Sequence, residues 1–277
     1  MSSMLQNFSK NKTALICMII LLFIIVVVIF SEFLPLHSPN KMNKEYRLQG
    51  PSSEFFLGTD QFGRDLFSRI ISGAKISLLV GISSVIISVG IGIILGLIAG
   101  YFGKWYDSLI MRTMDILFAF PEILLALAIV AALGPGTFNT ILAIGIVNIP
   151  VFTRLVRGSV LGVKNLEYIE SAKSLGAKDT RILFLEILPN ITAPLLVQST
   201  LAISGAILTE SALSFLGLGV QPPNPSWGGM IAESRRYMEL APGMIIWPCL
   251  AMLITIFAIN LFGDALNDIF NPLRGKN

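Results

Sequence analysis

Charge is what this sequence has least of. Of its 277 residues 13% are Asp, Glu, Lys or Arg and 54% are hydrophobic, with a mean hydropathy of +0.76. A soluble domain carries about 25% charged residues. A chain this depleted would expose too much apolar surface to water, so lipid is its natural solvent. Histidine occurs once, as His37, and cysteine twice, as Cys17 and Cys249. So few soft ligands exclude a zinc or haem site held by the chain. An intramembrane metalloprotease needs the two histidines of His-Glu-x-x-His. A serine–histidine protease would need His37 inside a span, and it lies beyond the first apolar run. The two cysteines fall in separate apolar runs and read as small packing residues.

A phosphate-cradling loop is also missing. The cluster Gly58-Thr59-Asp60 and Gly63-Arg64-Asp65 lacks the Gly-x4-Gly-Lys-Ser/Thr arrangement, and Gly103-Lys104 is followed by Trp105. No ATP site is expected. The cluster reads instead as a turn into an interfacial helix, with Arg64, Asp65 and Arg69 available for local pairing.

Long apolar runs are abundant. Crossing a bilayer takes roughly 20 apolar residues of helix. Six runs qualify: residues 14–34, 76–100, 116–133, 138–153, 191–209 and 243–262. The fourth is short and holds Pro150. The runs are apolar all round rather than alternating, which predicts helices, not a transmembrane barrel. The expected fold is therefore all-α and polytopic, with six transmembrane helices. The first run follows Lys10 and Lys12 and ends in "SEFLPLH", without a small-x-small cleavage site, so it reads as a retained anchor. With the N-terminus inside, the inner segments collect twelve of the 20 lysines and arginines. Both termini are then cytoplasmic. The chain divides into residues 1–75, an anchor span with an outer loop, and 76–277, a five-helix core.

One polar segment interrupts the core. In "EYIESAKSLGAKDTRILFLEILPN" (167–190), Tyr168, Ile169, Ala172 and Leu175 recur at helical spacing. Gly176 stands where a helix end takes φ > 0. Asp179 can cap a second helix carrying Ile182, Leu183 and Phe184, and Pro189 stops or bends it. Composition alone leaves two readings open, a loop on the membrane surface and a docking element for a partner.

The motifs go further. Glu170-Ser171-Ala172, three residues, Gly176 with Ala177, then Leu188-Pro189 resembles the EAA loop of ABC importer permeases. Ser171 replaces the middle Ala, and Glu186 replaces an Ile, with Ile187 next to it to take the apolar contact. "LGTDQFGRDLFSRIISGAKISL" (57–78) and "ALSFLGLGVQPPNPSWGGMI" (212–231) are similar to signatures of the smaller permease of peptide and nickel importers. "GYFGKWYDSLIMRTMDILFAFP" (100–121) and "NLFGDALNDIFNP" (260–272) match as well, so the resemblance covers nearly everything after residue 9. It implies a type I ABC importer permease fold in a bacterial cytoplasmic membrane. It makes 164–190 the coupling segment. The implied partners are a second, longer permease, two cytoplasmic ATPases that bind the ATP and Mg, and an extracytoplasmic binding protein. Membrane lipid surrounds the chain and no nucleic acid is expected. The "PPNPSWG" form points to di- or oligopeptide cargo, with nickel or a metal chelate as the alternative. An ion-driven carrier would need charges in mid-span, which are nearly absent.

Three polar residues in or beside spans are candidates for the pathway or gate: Glu122, Asn148 and Glu210. A carboxylate at the bilayer centre costs about 2.5–3.5 kcal/mol on insertion scales, so Glu122 either faces a cavity or sits at the interface. Glu210 is expected near the outer gate. Asn148 bonds a neighbouring helix or faces the path. Gly92, Gly96 and Gly100 form a ladder of small residues suited to close helix packing. Trp227 is expected at the interface, in the loop before the last span.

Overall fold

The computed structural model describes residues 12–270. Among these the regular elements are helical and no strand forms. In chain order they are α1 (Lys12–Ile29), α2 (Leu66–Phe102), α3 (Lys104–Phe118), α4 (Glu122–Leu133), α5 (Thr137–Val163), α6 (Glu167–Ser174), α7 (Thr192–Phe215), α8 (Trp227–Ser234) and α9 (Gly243–Phe270). Five helical stretches are long and apolar enough to cross a membrane: Ala14–Glu32, Leu66–Phe102, Thr137–Val163, Asp179–Phe215 and Gly243–Ile269. Among the described residues a sixth crossing exists only if the bent pair α3 and α4 counts as one span.

That sixth crossing corrects the expected third span. Residues 116–133 are not one helix. α3 ends at Phe118, α4 starts at Glu122, and their axes differ by 91°. The cause is Pro121, which pushes Phe120 out of helical geometry and cannot donate to the preceding turn. The 12 residues of α4 reach only about 18 Å, against about 30 Å of hydrocarbon. Pro150 acts differently. α5 runs through it unbroken from Thr137 to Val163. Next to the turn the proline weakens, the Ser88 hydroxyl of α2 lies 2.8 Å from both the Gly145 carbonyl and the Ser84 carbonyl of its own helix, so its one proton is shared between them.

α2 and α5 form the principal helix pair, and the glycine ladder is its seam. A Cβ on Gly92, Gly96 or Gly100 would lie 2.5, 2.5 and 2.7 Å from the Cβ atoms of Phe152, Val156 and Val160. Three glycines one turn apart thus meet three side chains one turn apart. The backbones approach as closely as small residues allow. α4 and α7 pack on this pair, and its core includes Leu97, Ala126, Phe152 and Ala206. A second cluster, built on Ala74, Ile207, Trp227 and Ile259, receives Leu21 and Val28 of α1.

The Gly58–Asp65 cluster does not lead into a separate interfacial helix. Asp65 caps α2 itself, accepting from the Ser68 amide at 3.0 Å, and the helix runs on without a break through residue 75. The local pairing expected of Arg64 and Arg69 is made, but with a distant member. Arg64 bonds Asp60 at 2.5 Å and Glu233 of α8 at 2.9 Å. Arg69 approaches the same two carboxylates at 3.5 and 3.7 Å and donates to the Pro39 carbonyl. Arg64, Arg69 and Asp60 are almost fully buried, so each charge relies on the others. Trp227 is buried rather than interfacial. Ser226 caps α8 behind it, and the indole donates to the Ile70 carbonyl at 3.1 Å.

Candidate functional site: the 164–190 segment

The segment leaves α5 at one end of the bundle and returns as the long helical stretch that contains α7. α6 carries Glu167 and Glu170 in its first turn and Lys173 in its last, a distribution that suits the helix dipole. Its end is a Schellman turn. Gly176 has φ +80°. The Gly176 amide donates to Lys173 at 2.9 Å and the Ala177 amide to Ala172 at 3.1 Å, the paired bonds that define this terminator. A Cβ on Gly176 would meet nothing within 4 Å. Glycine is needed there for its backbone, not for space.

Asp179 does not cap the next helix. It is the first residue of the turn Asp179–Arg181, and Lys178 holds the cap position without a side-chain bond. The Asp179 carboxylate instead accepts from the Tyr101 hydroxyl of α2 at 2.7 Å. The ammonium of Lys173 lies 5.2 Å from the Tyr101 ring centre, and Lys164 donates to the Gly100 carbonyl at 2.9 Å. Three side chains thus fasten the segment to the end of α2. Nearby, Arg157 of α5 holds Asp107 of α3 (2.7 Å from Nη2), and Arg154 holds Asp115 at 2.6 Å.

Pro189 bends the return path without breaking it. Residues Ile182–Ile187 form a wide π turn, in which the Leu188 amide donates to the Leu183 carbonyl. A tight turn, Leu188–Ile191, follows and leads into α7. The proline ring would strike the carbonyl four residues earlier in a regular helix, and the wide turn relieves that contact.

The apolar positions divide between two faces. Ile169, Ile182, Ile187 and Ile191 are buried in the main core, with Ala172, Ala177 and Leu188 packed against it. Ile187 does take the contact that Glu186 cannot. Tyr168 and Leu175, expected on the same ridge as Ile169, are exposed, and Leu175 is 89% accessible at the tip. Glu167, Glu170, Ser171, Ser174 and Leu175 border one shallow concavity. That concavity therefore presents two carboxylates beside Leu175, the most exposed leucine of the segment.

The other candidates lie elsewhere. Glu122 is exposed at the start of α4, and its carboxylate accepts from the Thr209 hydroxyl at 3.1 Å. Glu210, next to Thr209, is fully buried and accepts from Ser77 and Ser214. Asn148 is half-buried and donates to the Ile144 carbonyl of its own helix at 3.0 Å. Glu122 thus bonds Thr209, the residue before Glu210 in α7, while Asn148 bonds within α5. Sequence reasoning missed Ser77, Ser214 and Glu233. Nothing local distinguishes Ser77 and Glu233, whose partners are over a hundred residues away, whereas Ser214 stands one turn after Glu210 on the same helix face, a spacing that could have found it.

Residues 92–276 match the family model of the binding-protein-dependent transport system inner membrane component. Residues 1–51 match the N-terminal transmembrane domain of oligopeptide transport permease C. This chain is a member of the binding-protein-dependent permease family. It is 47% identical over 267 residues to the dipeptide transport system permease protein of Alkalihalophilus pseudofirmus, covering 96% of this chain and 88% of that one. It is 46% identical to the di/tripeptide transport system permease protein of Pseudomonas aeruginosa, covering 96% and 90%. It is 46% identical to the glutathione transport system permease protein of Pectobacterium atrosepticum, covering 96% and 89%. Among solved structures, the MetNI methionine ABC transporter in an inward-facing form aligns with a TM-score of 0.59 at 17% identity, over 73% of this chain and 96% of that one. That likeness establishes the fold, a type I importer permease. The chain is accordingly a multi-pass membrane permease of all-α architecture.

Proposed function

We propose that this permease forms half of the translocation path of an ATP-driven importer of di- or oligopeptides. The observation that carries the reading is the 164–190 segment. It is bolted to α2 on one face, presents acidic groups and Leu175 on the other, and continues into a 37-residue helical stretch from Asp179 to Phe215. A stiff element of that kind can pass motion from a soluble motor into the bundle. The names of the relatives, with dipeptide, di/tripeptide and glutathione cargo, favour peptides over the nickel alternative.

In this reading Glu170, Ser171, Ala172, Gly176, Ala177, Asp179, Leu188 and Pro189 form the docking and coupling unit. The segment and both termini face the cytoplasm, and the Leu216–Ser226 end faces outward. A second, longer permease completes the path. Two ATPase subunits bind ATP and Mg and draw the coupling segments together, and an extracytoplasmic binding protein delivers the cargo. ATP can shift the inward–outward equilibrium only through contacts that differ between the two states, and the exposed face of α6 is where those contacts are made. Glu122, at the bend before α4, is the carboxylate best placed to face the path. Residues 1–75 serve as anchor and outer loop, and 76–277 as the working core.

The test is uptake of labelled di- and oligopeptides, in parallel with nickel, in cells lacking this chain. Loss of peptide uptake, restored by the wild type and not by Gly176→Val, supports cargo and lever together. Loss of nickel uptake with peptides unaffected transfers the cargo to the metal.

A further inference from the structure

A buried carboxylate organises the end of the bundle opposite the coupling segment. Glu210 lies one turn before the end of α7 and is fully inaccessible. Its Oε1 accepts from the Ser214 hydroxyl at 2.7 Å, and its Oε2 accepts from the Ser77 hydroxyl of α2 at 3.3 Å. Each serine has a single proton, and both protons are committed to Glu210. The serine oxygens are left as acceptors, each receives one backbone amide, and Ser214 also accepts from the Ser226 hydroxyl at 3.4 Å. Val220 N–H donates to Ser214 at 3.2 Å, and Trp227 N–H donates to Ser77 at 3.3 Å.

Those two amides flank residues 221–226, the stiff Gln-Pro-Pro-Asn-Pro-Ser connector. Both residues are buried. Trp227 opens α8, so its amide has no acceptor within the helix. The backbone also sits hard against the relay. A Cβ on Gly219 would lie 2.0 Å from the Ser214 hydroxyl oxygen, and one on Gly228 would lie 2.4 Å from the Ser211 Cα. Such proximity on both sides of the connector leaves it little room to shift.

We propose that Glu210 is a positioning residue: its carboxylate sets the hydrogen-bond polarity of Ser77 and Ser214, and the two serines thereby pin both ends of the 221–226 connector to α2 and α7. The latch works because a carboxylate only accepts. Glutamine offers one acceptor and one donor, so it can hold one serine in the present polarity but not both. The functional consequence rests on the reading above, in which this end of the permease receives the binding protein. A pinned connector is then a rigid delivery surface, and it hangs on the same helical stretch that starts in the coupling segment.

The experiment is amide hydrogen exchange on the intact transporter in lipid nanodiscs, resolved at Val220 and Trp227. Ser214→Ala is expected to speed exchange at Val220 by about tenfold and at Trp227 by much less, since Ser214 reaches that end only through Ser226. Ser77→Ala is expected to do the reverse. Glu210→Gln speeds exchange at one or both amides, and Glu210→Gln combined with Ser77→Ala and Ser214→Ala adds nothing to the two serine changes alone. Unaltered protection at both amides in the serine variants overturns the latch, whether or not Glu210→Gln accumulates. A uniform rise across α7 and α8 also overturns it, because that reports general loosening. In transport assays the half-saturating concentration of binding protein should rise more than the maximal rate falls. Relay-specific exchange with an unchanged binding-protein dependence upholds the latch and overturns the delivery role instead.

Discussion

The amide of Ala177 donates to the carbonyl of Ala172 across Gly176, closing α6 with a left-handed residue. This bond fixes the direction in which the chain leaves the exposed face and turns back toward the core. Gly176→Val should disturb it without any steric collision, since the position opens on empty space. A β-branched residue in the left-handed region costs roughly 1–2 kcal/mol. Membrane insertion should be normal and co-purification of the ATPase subunits reduced. Gly176→Asn, which tolerates this backbone, should retain them. Equal ATPase recovery with Gly176→Val and the wild type would remove the turn from the docking argument.

Leu175 and Ile169 test the two faces separately. Leu175 is 89% exposed and Ile169 is fully buried. Leu175→Ser should leave the unfolding temperature within about 1 °C, because a surface change away from special features moves stability by less than about 0.5 kcal/mol. It should nevertheless weaken ATPase binding. Ile169→Ala should cost about 2–5 kcal/mol and lower the unfolding temperature before it affects docking. Similar behaviour of the two variants would mean that the segment has no division of faces.

The α2–α5 seam should tolerate no added methyl group. Gly96→Ala places a Cβ 2.5 Å from Val156 Cβ and 2.7 Å from the Thr153 carbonyl oxygen. Backbone cannot yield as a side chain can, and overpacking of this kind costs about 1–3 kcal/mol. Gly90→Ala is the control, with nothing within 4 Å of its Cβ. Thermal unfolding in detergent should separate the two, with Gly96→Ala lower and Gly90→Ala unchanged or slightly higher.

Asp60 shares its carboxylate between Arg64 and Arg69. Asp60→Ala leaves two buried cations with Glu233 as the one carboxylate they share and should cost about 3–5 kcal/mol. Added salt should not remove the difference between wild type and variant, because screening acts weakly on buried pairs. A difference that vanishes at high salt would mean that the network is solvated.

Much of this architecture was legible in the sequence, and the reasons differ by element. Spans are read easily because a single-helix crossing must be apolar along its length. The glycine ladder was legible because small residues one turn apart have few other uses in lipid. Gly176 was legible because a local backbone need selects glycine. The break at Pro121 was not read: mean hydropathy is blind to a bend, and the run 116–133 stays apolar across it. The split of Leu175 from Ile169 was missed because helical spacing groups residues by angle, and the residue just past the end of a two-turn helix falls beyond the surface that covers the rest. Glu233 and Ser77 were invisible as partners of Arg64 and Glu210. Such pairings exist only once the helices are assembled, and a lone serine or glutamate carries no mark of them.

The π turn at Ile182–Ile187 has a consequence for phase. A wide turn carries one residue more than a regular helix of the same rise, and one residue corresponds to about 100° of rotation. The wide turn takes up that residue with less rotation at each step, so the exposed face of α6 and the faces of α7 keep the phase of a regular helix one residue shorter. Deleting one residue from this stretch should therefore leave the docking surface aligned with Glu210. Straightening the turn while keeping the residue would swing that surface by more than a quarter of a revolution, about 100°, with every apolar residue still in place.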